Sequence, residues 1–225
     1  MGNYAGGAIT TGTDNILLGC YVAKNSISLC ANILMGMETG ACLCNGSHNI
    51  IMGQYAGRGS STVSANTAAN NVALGQNALT KVSSGTHNVF MGTNAGCCIT
   101  TGSENIAIGK DSMSAATHTG ENNIALGQYA GSALTSGGHN IFIGRQAGKA
   151  QTDATGSIYI GRNAGLANET GEYSLIIGQS AGFTGTAICN NIIIGREAGY
   201  AGSFDPAKYN TIVGMQAGCD VTSGC

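Results

Sequence analysis

The sequence predicts an all-β protein, a parallel β-solenoid of about thirteen coil turns with roughly 17 residues in each. A unit recurs along the chain: Asn, an aliphatic residue, an apolar residue, an aliphatic residue and Gly, then two polar residues and Ala-Gly. The glycine that ends each apolar run, here called the anchor glycine, recurs after 17 residues in nine of twelve intervals. Composition agrees, because 43% hydrophobic residues and 37 glycines suit a regular apolar array better than a disordered chain. The anchors are Gly2, Gly19, Gly36, Gly53, Gly75, Gly92, Gly109, Gly127, Gly144, Gly161, Gly178, Gly195 and Gly214.

The first element of each unit is predicted to be a short β-strand that ends at the anchor glycine. Its three central residues are apolar and often β-branched, as in Ile141-Phe142-Ile143, which is the composition that strands favour. The anchor and the following Ala-Gly then reverse the chain, because glycine adopts positive φ without strain. A second, weaker strand is expected around an apolar residue seven positions after the anchor. Those residues are Ile9, Leu43, Val82, Ile99, Leu134 and Val221.

Three intervals between anchors depart from the 17-residue period. They measure 22 residues from Gly53 to Gly75, 18 from Gly109 to Gly127 and 19 from Gly195 to Gly214. In a solenoid, extra residues loop outward and leave the neighbouring coil turns in register. We therefore expect these insertions to leave the stack of strands unchanged.

A polar column is predicted at the residue that opens each apolar run. This position holds Asn in ten of twelve units and Ser in the other two, Ser157 and Ser174. In a coil the same position recurs above and below, so the side-chain amides can form a continuous hydrogen-bonded ladder. We interpret the column as structural rather than as a ligand site. Its members are Asn15, Asn32, Asn49, Asn71, Asn88, Asn105, Asn123, Asn140, Asn191 and Asn210.

An apolar column is predicted at the middle residue of each strand. Because strand residues alternate faces, flanking aliphatics such as Ile141 and Ile143 are expected to point into the coil with Ala147, and the middle residue outward. A continuous outward apolar stripe requires a covering surface, so the sequence predicts a homo-oligomer, with a trimer favoured. The predicted interface is Leu17, Leu34, Ile51, Phe90, Phe142, Tyr159, Ile176, Ile193 and Ile212, with Ala73, Ala107 and Ala125 in the same column.

Charge and hydropathy weigh against several classes of function. A net charge of −2 with scattered basic residues offers no basic face for nucleic acid. The chain has no apolar run long enough to span a membrane, and its N-terminus lacks the features of a signal peptide. The nine cysteines form no pair of zinc-binding CxxC motifs and are interpreted mostly as small buried hydrophobic residues. No cofactor and no metal site is predicted.

Three histidines share one repeat position, since His48, His87 and His139 each directly precede a ladder asparagine. In a trimer such a residue could meet its symmetry mates and bind a metal ion. They do not lie on consecutive coil turns, so we interpret them as solvated turn residues.

Two kinds of polar residue invite a chemical interpretation. Acidic residues near the ends of coil turns could hydrolyse polysaccharide as pairs, but they form no local constellation, so no catalytic residue is predicted. Thr or Ser near the end of many units suits an ice-binding array, but Cys44 and Lys81 interrupt that column. The acidic residues are Asp14, Glu104, Glu121 and Glu172.

The segment Asn123–Gly137, Asn-Ile-Ala-Leu-Gly-Gln-Tyr-Ala-Gly-Ser-Ala-Leu-Thr-Ser-Gly, resembles the head repeats of trimeric autotransporter adhesins. It is equally similar to repeats in bacteriophage and large-virus tail or surface fibres, and the resemblance extends from Gly2 to Gly224. It implies a left-handed parallel β-roll and three chains packed side by side. The unit here is longer than the usual adhesin unit, which implies a wider second turn, and the cysteine content favours the virus-fibre version.

Together these features predict one solenoid domain over residues 1–225, interpreted as a segment of a longer fibre. Its predicted role is a rigid structural and adhesive shaft on a virion or cell surface, without enzymatic activity. Its mixed polar face would bind a glycan or protein receptor through many weak contacts. The alternatives are a self-stacking extracellular filament subunit, an ice-binding solenoid and a polysaccharide depolymerase.

Overall fold

The computed structural model describes residues 2–59, 66–115, 117–201 and 209–219, which contain twelve β-strands and no helix. The chain divides into two compact units, Met1–Thr119 (unit 1) and Gly120–Cys225 (unit 2). Each unit is a parallel β-solenoid with one three-residue strand in each coil turn, which confirms the predicted fold class. Unit 1 contains β1 (Ile16–Leu18), β2 (Ile33–Met35), β3 (Ile50–Met52), β4 (Val72–Leu74), β5 (Val89–Met91) and β6 (Ile106–Ile108). Unit 2 contains β7 (Ile124–Leu126), β8 (Ile141–Ile143), β9 (Ile158–Ile160), β10 (Leu175–Ile177), β11 (Ile192–Ile194) and β12 (Thr211–Val213).

Within each unit, every strand pairs in parallel with the strand of the next coil turn. The partners are equivalent residues of the repeat. This register survives the longer intervals, since Ile50 pairs with Val72 and Ile192 pairs with Thr211. The 22- and 19-residue intervals therefore leave the strand stack of their own unit in register, as predicted, although most of the inserted residues lie outside the described ranges.

Four positions in each coil turn have positive φ, and they determine where glycine is needed. Gly144 has a φ of 129°, and a Cβ atom there would lie 2.5 Å from the carbonyl oxygen of Gly161 in the next coil turn. Gln146 and Gly148 follow in the left-handed region, with φ of 62° and 56°. His139, which precedes the ladder asparagine, is also left-handed, with a φ of 60°. The anchor is glycine because successive backbones approach too closely there for any side chain.

The predicted second strand does not form in the described residues. The residues that marked it mostly face the core, since Leu43, Val82, Ile99 and Leu134 are buried, while Ile9 is half-exposed and Val221 lies outside the described ranges. The backbone there makes only isolated bridges, such as the one between Ile99 and His118. Left-handed residues on both sides of this segment bend it, so hydrophobic burial is preserved without an extended run.

Three inward side chains occupy the interior of a typical coil turn. In the turn that contains β5, these are the middle strand residue Phe90, the small Ala95 and Ile99, all of them fully buried. The residue four positions after the anchor lies against the middle strand residue. A Cβ atom on Gly96 would lie 2.6 Å from the Phe90 ring, so the aromatic ring requires glycine at that point.

In two coil turns of unit 1, a small middle strand residue is matched by a large residue four positions after the anchor. Where the strand offers only Ala73 or Ala107, the glycine position holds the buried side chain of Leu79 or Met113 instead. A narrow interior at near-crystalline packing density tolerates one large side chain at this level. In these two coil turns a large side chain on the turn replaces the large side chain on the strand, whereas the coil turn of Ala125 has Gly131 at the turn position.

Candidate functional surfaces

The asparagine column of unit 1 is a continuous hydrogen-bonded ladder, as predicted. Each amide oxygen accepts hydrogen bonds from the backbone N–H and the Nδ2 of the next asparagine. The Nδ2 groups of Asn32, Asn49, Asn71 and Asn88 also donate to backbone carbonyls across the coil, as Asn71 does to the Gly85 carbonyl at 2.9 Å. The Nδ2–Oδ1 distances are 3.1 Å for Asn32–Asn15, 3.0 Å for Asn49–Asn32, 3.1 Å for Asn71–Asn49, 3.0 Å for Asn88–Asn71 and 3.2 Å for Asn105–Asn88.

In unit 2 the ladder has asparagine pairs at its two ends and serine in between. Asn140 donates to Asn123 Oδ1 and Asn210 donates to Asn191 Oδ1, both at 2.9 Å. Ser157 and Ser174 reproduce this pattern only in part, because one hydroxyl replaces both an amide oxygen and an amide nitrogen. Ser174 Oγ donates to the Ile188 carbonyl at 2.9 Å and accepts from the Asn191 N–H at 3.2 Å. The Ser174 backbone N–H donates to Ser157 Oγ over a long 3.5 Å.

The two faces of each strand are the reverse of the predicted ones. The middle residues, predicted to form an oligomer interface, point into the coil. Leu34, Ile51, Phe90, Phe142, Tyr159, Ile176 and Ile193 are fully buried, as are Ala73, Ala107 and Ala125, whereas Leu17 and Ile212 in the end strands are half-buried. Hydrophobicity alone could not distinguish the faces, because nearly all the strand residues are apolar. The signal that could have done so is the size match between the middle residue and the position four after the anchor.

The residues that flank the middle position form a partly exposed apolar surface on each unit, here called the outer sheet face. Met91 and Ile108, for example, are 38% and 40% exposed. In unit 1 the outer sheet face consists of Ile16, Leu18, Ile33, Met35, Ile50, Met52, Val72, Leu74, Val89, Met91, Ile106 and Ile108. In unit 2 it consists of Ile124, Leu126, Ile141, Ile143, Ile158, Ile160, Leu175, Ile177, Ile192, Ile194, Thr211 and Val213. Thr211 is the single polar member of this set, so each unit presents two columns of apolar side chains outward.

The three histidines lie on exposed turns. His48, His87 and His139 have φ of 57°, 59° and 60°, and each directly precedes a buried ladder asparagine. Among the described residues, no three His, Cys, Asp or Glu side chains come together in a group that could hold a metal ion.

The acidic and threonine positions are used locally or face solvent. Asp14, Glu104, Glu121 and Glu172 are all exposed. Thr135 Oγ1 donates to the Thr152 carbonyl at 2.8 Å, and Thr152 Oγ1 donates to the Glu169 carbonyl at 3.0 Å. These two hydroxyls link successive coil turns, and a flat array of threonines on a sheet, as ice binding would need, is not found within the described ranges.

The described cysteines form no disulfide bond. Cys42 and Cys44 are buried and the other six described cysteines are half-buried, so the interpretation of the cysteines as mostly buried residues is wrong. Burial raises the pKa of the Cys44 thiol. The Sγ atoms of the neighbouring Cys97 and Cys98 lie 3.2 Å apart, and burial followed by this hydrogen bond raises the pKa of Cys97 to about 12. Both thiols with raised pKa values therefore stay protonated at neutral pH.

Side chains one and two positions after each anchor form a polar rim along each unit. In unit 1, Asn77 Nδ2 donates to Asn94 Oδ1 at 3.1 Å, and Asn94 Nδ2 donates to Asp111 Oδ1 at 2.8 Å. Lys24 and Arg58 both pair with Glu38, at 3.7 and 3.5 Å. The rim is thus a second, less regular set of links between coil turns.

In unit 2 the rim borders a surface hollow of about 670 Å³. One wall consists of polar rim residues, and the other contains the stacked rings of Phe183 and Tyr200, whose centroids lie 4.9 Å apart with an interplanar angle of 7°. The lining residues are Arg162, Asn163, Gln179, Ser180, Phe183, Glu197, Tyr200, Ala201, Gln216 and Cys219. Sequence reasoning placed a mixed polar face here but did not identify the hollow, because no local motif marks it.

Comparison with known proteins assigns no family: no family model, curated protein or solved structure matches the chain. Within the ranges that the structure describes, no helix is long and apolar enough to cross a membrane. The functional argument therefore rests on the surfaces described above.

Proposed function

We propose that this chain is a structural and adhesive fibre segment, a rigid shaft at a virion or cell surface that assembles from identical copies. The observation that carries the proposal is the outer sheet face, two partly exposed columns of Ile, Leu, Val and Met on each unit. Contiguous apolar patches beyond a few hundred Å² are uncommon on monomeric proteins. Such a surface is therefore expected to be covered.

A second copy of the same chain suits this face best. The outer sheet face carries no charged residue, so a charged partner would gain nothing from it. Its side chains repeat with the coil, and a surface with the same repeat matches it at every coil turn. The preference for three chains and the left-handed sense of the coil come from the resemblance to adhesin and fibre repeats.

The regularity of the core supports a mechanical role. Nearly every coil turn repeats the same strand, ladder and packing solution, whereas a catalytic site needs one distinctive constellation of groups. The outward aliphatic columns also favour a fibre over the ice-binding alternative. Aliphatic columns form contacts between apolar surfaces and offer no hydroxyl array to water.

The proposal is tested by light scattering coupled to size exclusion, which should give the mass of a homo-oligomer. Leu74→Asp with Met91→Asp should reduce that mass to one chain, because each places a charge in a closed apolar interface. The matched control is Gln76→Asp with Thr93→Asp, two exposed rim positions in the same coil turns. A wild-type chain that stays monomeric at high micromolar concentration, with its β circular dichroism intact, contradicts the proposal.

A further inference from the structure

The hollow in unit 2 arises where short side chains interrupt the rim. Ser180 holds the position that Asn163 and Glu197 hold in the coil turns before and after it. Ser180 is mostly buried and its hydroxyl makes no hydrogen bond to the described residues, while Asn163 Oδ1 is buried without a hydrogen-bond partner. Unused hydrogen-bonding groups beside an open hollow are suited to a ligand that carries hydroxyl groups.

The two charged residues that line the hollow differ in whether a neighbouring side chain compensates their charge. Glu197 is already neutralised, since it pairs with Arg196 at 3.8 Å and accepts a hydrogen bond from Gln216 at 2.8 Å. Arg162 lines the same hollow, is exposed, and has no ion pair with any of the described residues. One uncompensated guanidinium favours a ligand with a single carboxylate, which it can bind with two parallel hydrogen bonds.

The aromatic wall limits the ligand further. Phe183 and Tyr200 stack directly on each other, so a flat base cannot insert between them. Their outer surfaces and edges offer an apolar contact to the C–H face of a ring. The hollow's volume falls within the roughly 300–1,000 Å³ of small-molecule sites, which leaves room for a short oligosaccharide.

We propose that this hollow binds a carboxylated sugar unit of an acidic polysaccharide. Arg162 would bind the carboxylate, Gln179 and Ser180 the ring hydroxyls, and the Phe183–Tyr200 pair the apolar ring face. This inference rests on the adhesive part of the proposed function and gives it a site and a ligand class. Identical hollows on the copies of an oligomer would raise a weak single-site affinity through multivalency.

The test is calorimetric titration of the full chain with tetrasaccharides of galacturonate, glucuronate and mannuronate. Each is paired with its carboxyl-reduced, neutral counterpart. At least one acidic tetrasaccharide should bind, and its neutral counterpart should bind at least tenfold more weakly. Arg162→Gln should weaken acidic binding about tenfold, the effect of losing roughly 1.4 kcal/mol of charge-assisted contact.

Two further variants make the result specific to the hollow. Arg145→Gln removes the equivalent arginine one coil turn earlier, which does not line the hollow, and should change the affinity less than twofold. Ser180→Tyr should fill the hollow and abolish binding. The melting temperature should not change, because another coil turn of unit 2 already has a tyrosine, Tyr129, at the equivalent position.

Three results would overturn the inference: no acidic tetrasaccharide binds, the neutral counterparts bind equally well, or Arg145→Gln weakens binding as much as Arg162→Gln. Light scattering on the same samples reports the assembly separately. A monomer that binds acidic sugar contradicts only the oligomer, and an oligomer that binds none contradicts only the hollow.

Discussion

The two units solve the same structural problem with different side chains. In unit 1 the ladder is asparagine at every coil turn from Asn15 to Asn105. In unit 2 serine replaces asparagine at Ser157 and Ser174. The regular ladder has two tasks, to link neighbouring coil turns and to satisfy a backbone carbonyl on the opposite side of the coil.

At Ser157 in unit 2, a core side chain rather than the ladder residue satisfies this carbonyl. Gln151 and Asn168 lie seven residues after their anchors, at the position that Ile9, Leu43, Val82, Ile99 and Leu134 hold in other coil turns. Gln151 Nε2 donates to the Gly171 carbonyl at 2.6 Å, which Ser157 Oγ reaches only at 3.4 Å. This is the carbonyl that an asparagine at position 157 would satisfy in the regular ladder.

Asn168 has a different role one coil turn later, because Ser174 Oγ itself donates to the equivalent carbonyl of Ile188 at 2.9 Å, while Asn168 Nδ2 lies 3.4 Å from it. Its Oδ1 accepts hydrogen bonds from the backbone N–H groups of Gly171 and Ile188, both at 3.1 Å, and its Nδ2 donates to Tyr159 Oη at 2.5 Å. Burial raises the pKa of Tyr159, with opposing contributions from hydrogen bonds to Ser157 and Asn168. The comparison teaches that a core side chain can satisfy a buried carbonyl that a ladder asparagine satisfies elsewhere.

The largest difference between the units should appear when a ladder residue is truncated. Asn49→Ala leaves two buried backbone groups, the Ala68 carbonyl and the Asn71 N–H, without the partners they have now. We expect a loss of about 4 kcal/mol in the free energy of unfolding. Ser157→Ala should cost only about 1 kcal/mol, because Gln151 still satisfies Gly171. Guanidinium unfolding at fixed protein concentration measures both, and equal costs would remove the proposed difference.

A second difference concerns how the units fill the core. Phe142→Ala should cost about 3 kcal/mol, because the space left by the ring does not collapse fully. Adding Gly148→Met recreates the Ala107–Met113 arrangement of unit 1 and should recover about half of that cost, despite the left-handed backbone at position 148. The control is Gly148→Ala alone, whose Cβ would lie 2.7 Å from the Phe142 ring and should destabilise the protein. If the double variant is less stable than Phe142→Ala, the proposed exchange of bulk is wrong.

The sequence predicted the fold and the ladder because both depend on periodicity. Equivalent residues 17 positions apart must stack, whichever way each side chain points. The orientation of the strands was not predictable in the same way. With three consecutive apolar residues such as Ile192-Ile193-Ile194, hydrophobicity is the same on either face, and only steric fit against the turn decides. The hollow combines residues from several coil turns, and its shape depends on side-chain lengths that no motif encodes.

The exchange between ladder and core can be measured as a coupling energy. Gln151→Leu should cost about 2 kcal/mol, because it leaves the buried Gly171 carbonyl with only the long bond to Ser157. In a Ser157→Asn background the same change should cost less than about 0.5 kcal/mol, because the new amide reaches that carbonyl as in unit 1. Strictly additive effects in this double-mutant cycle would show that the two positions act independently.

The smallest effect should be a loss of stability at alkaline pH that belongs to unit 2. Burial raises the pKa of Tyr159 above the ordinary tyrosine value of about 10, so the folded state holds the phenolic proton more tightly than the unfolded state. The corresponding stability is complete below pH 10 and is lost as the pH rises from there towards the folded pKa. The slope cannot exceed about 1.4 kcal/mol per pH unit for one group.

Tyr159→Phe should lower stability at pH 8, because Gln151 and Asn168 lose a partner, yet it should flatten the decline above pH 10. Cys97 and Cys44 also have raised pKa values, so their alkaline contribution should remain in the variant and provides the internal reference. An unchanged slope in Tyr159→Phe would mean that the buried tyrosine does not couple folding to pH.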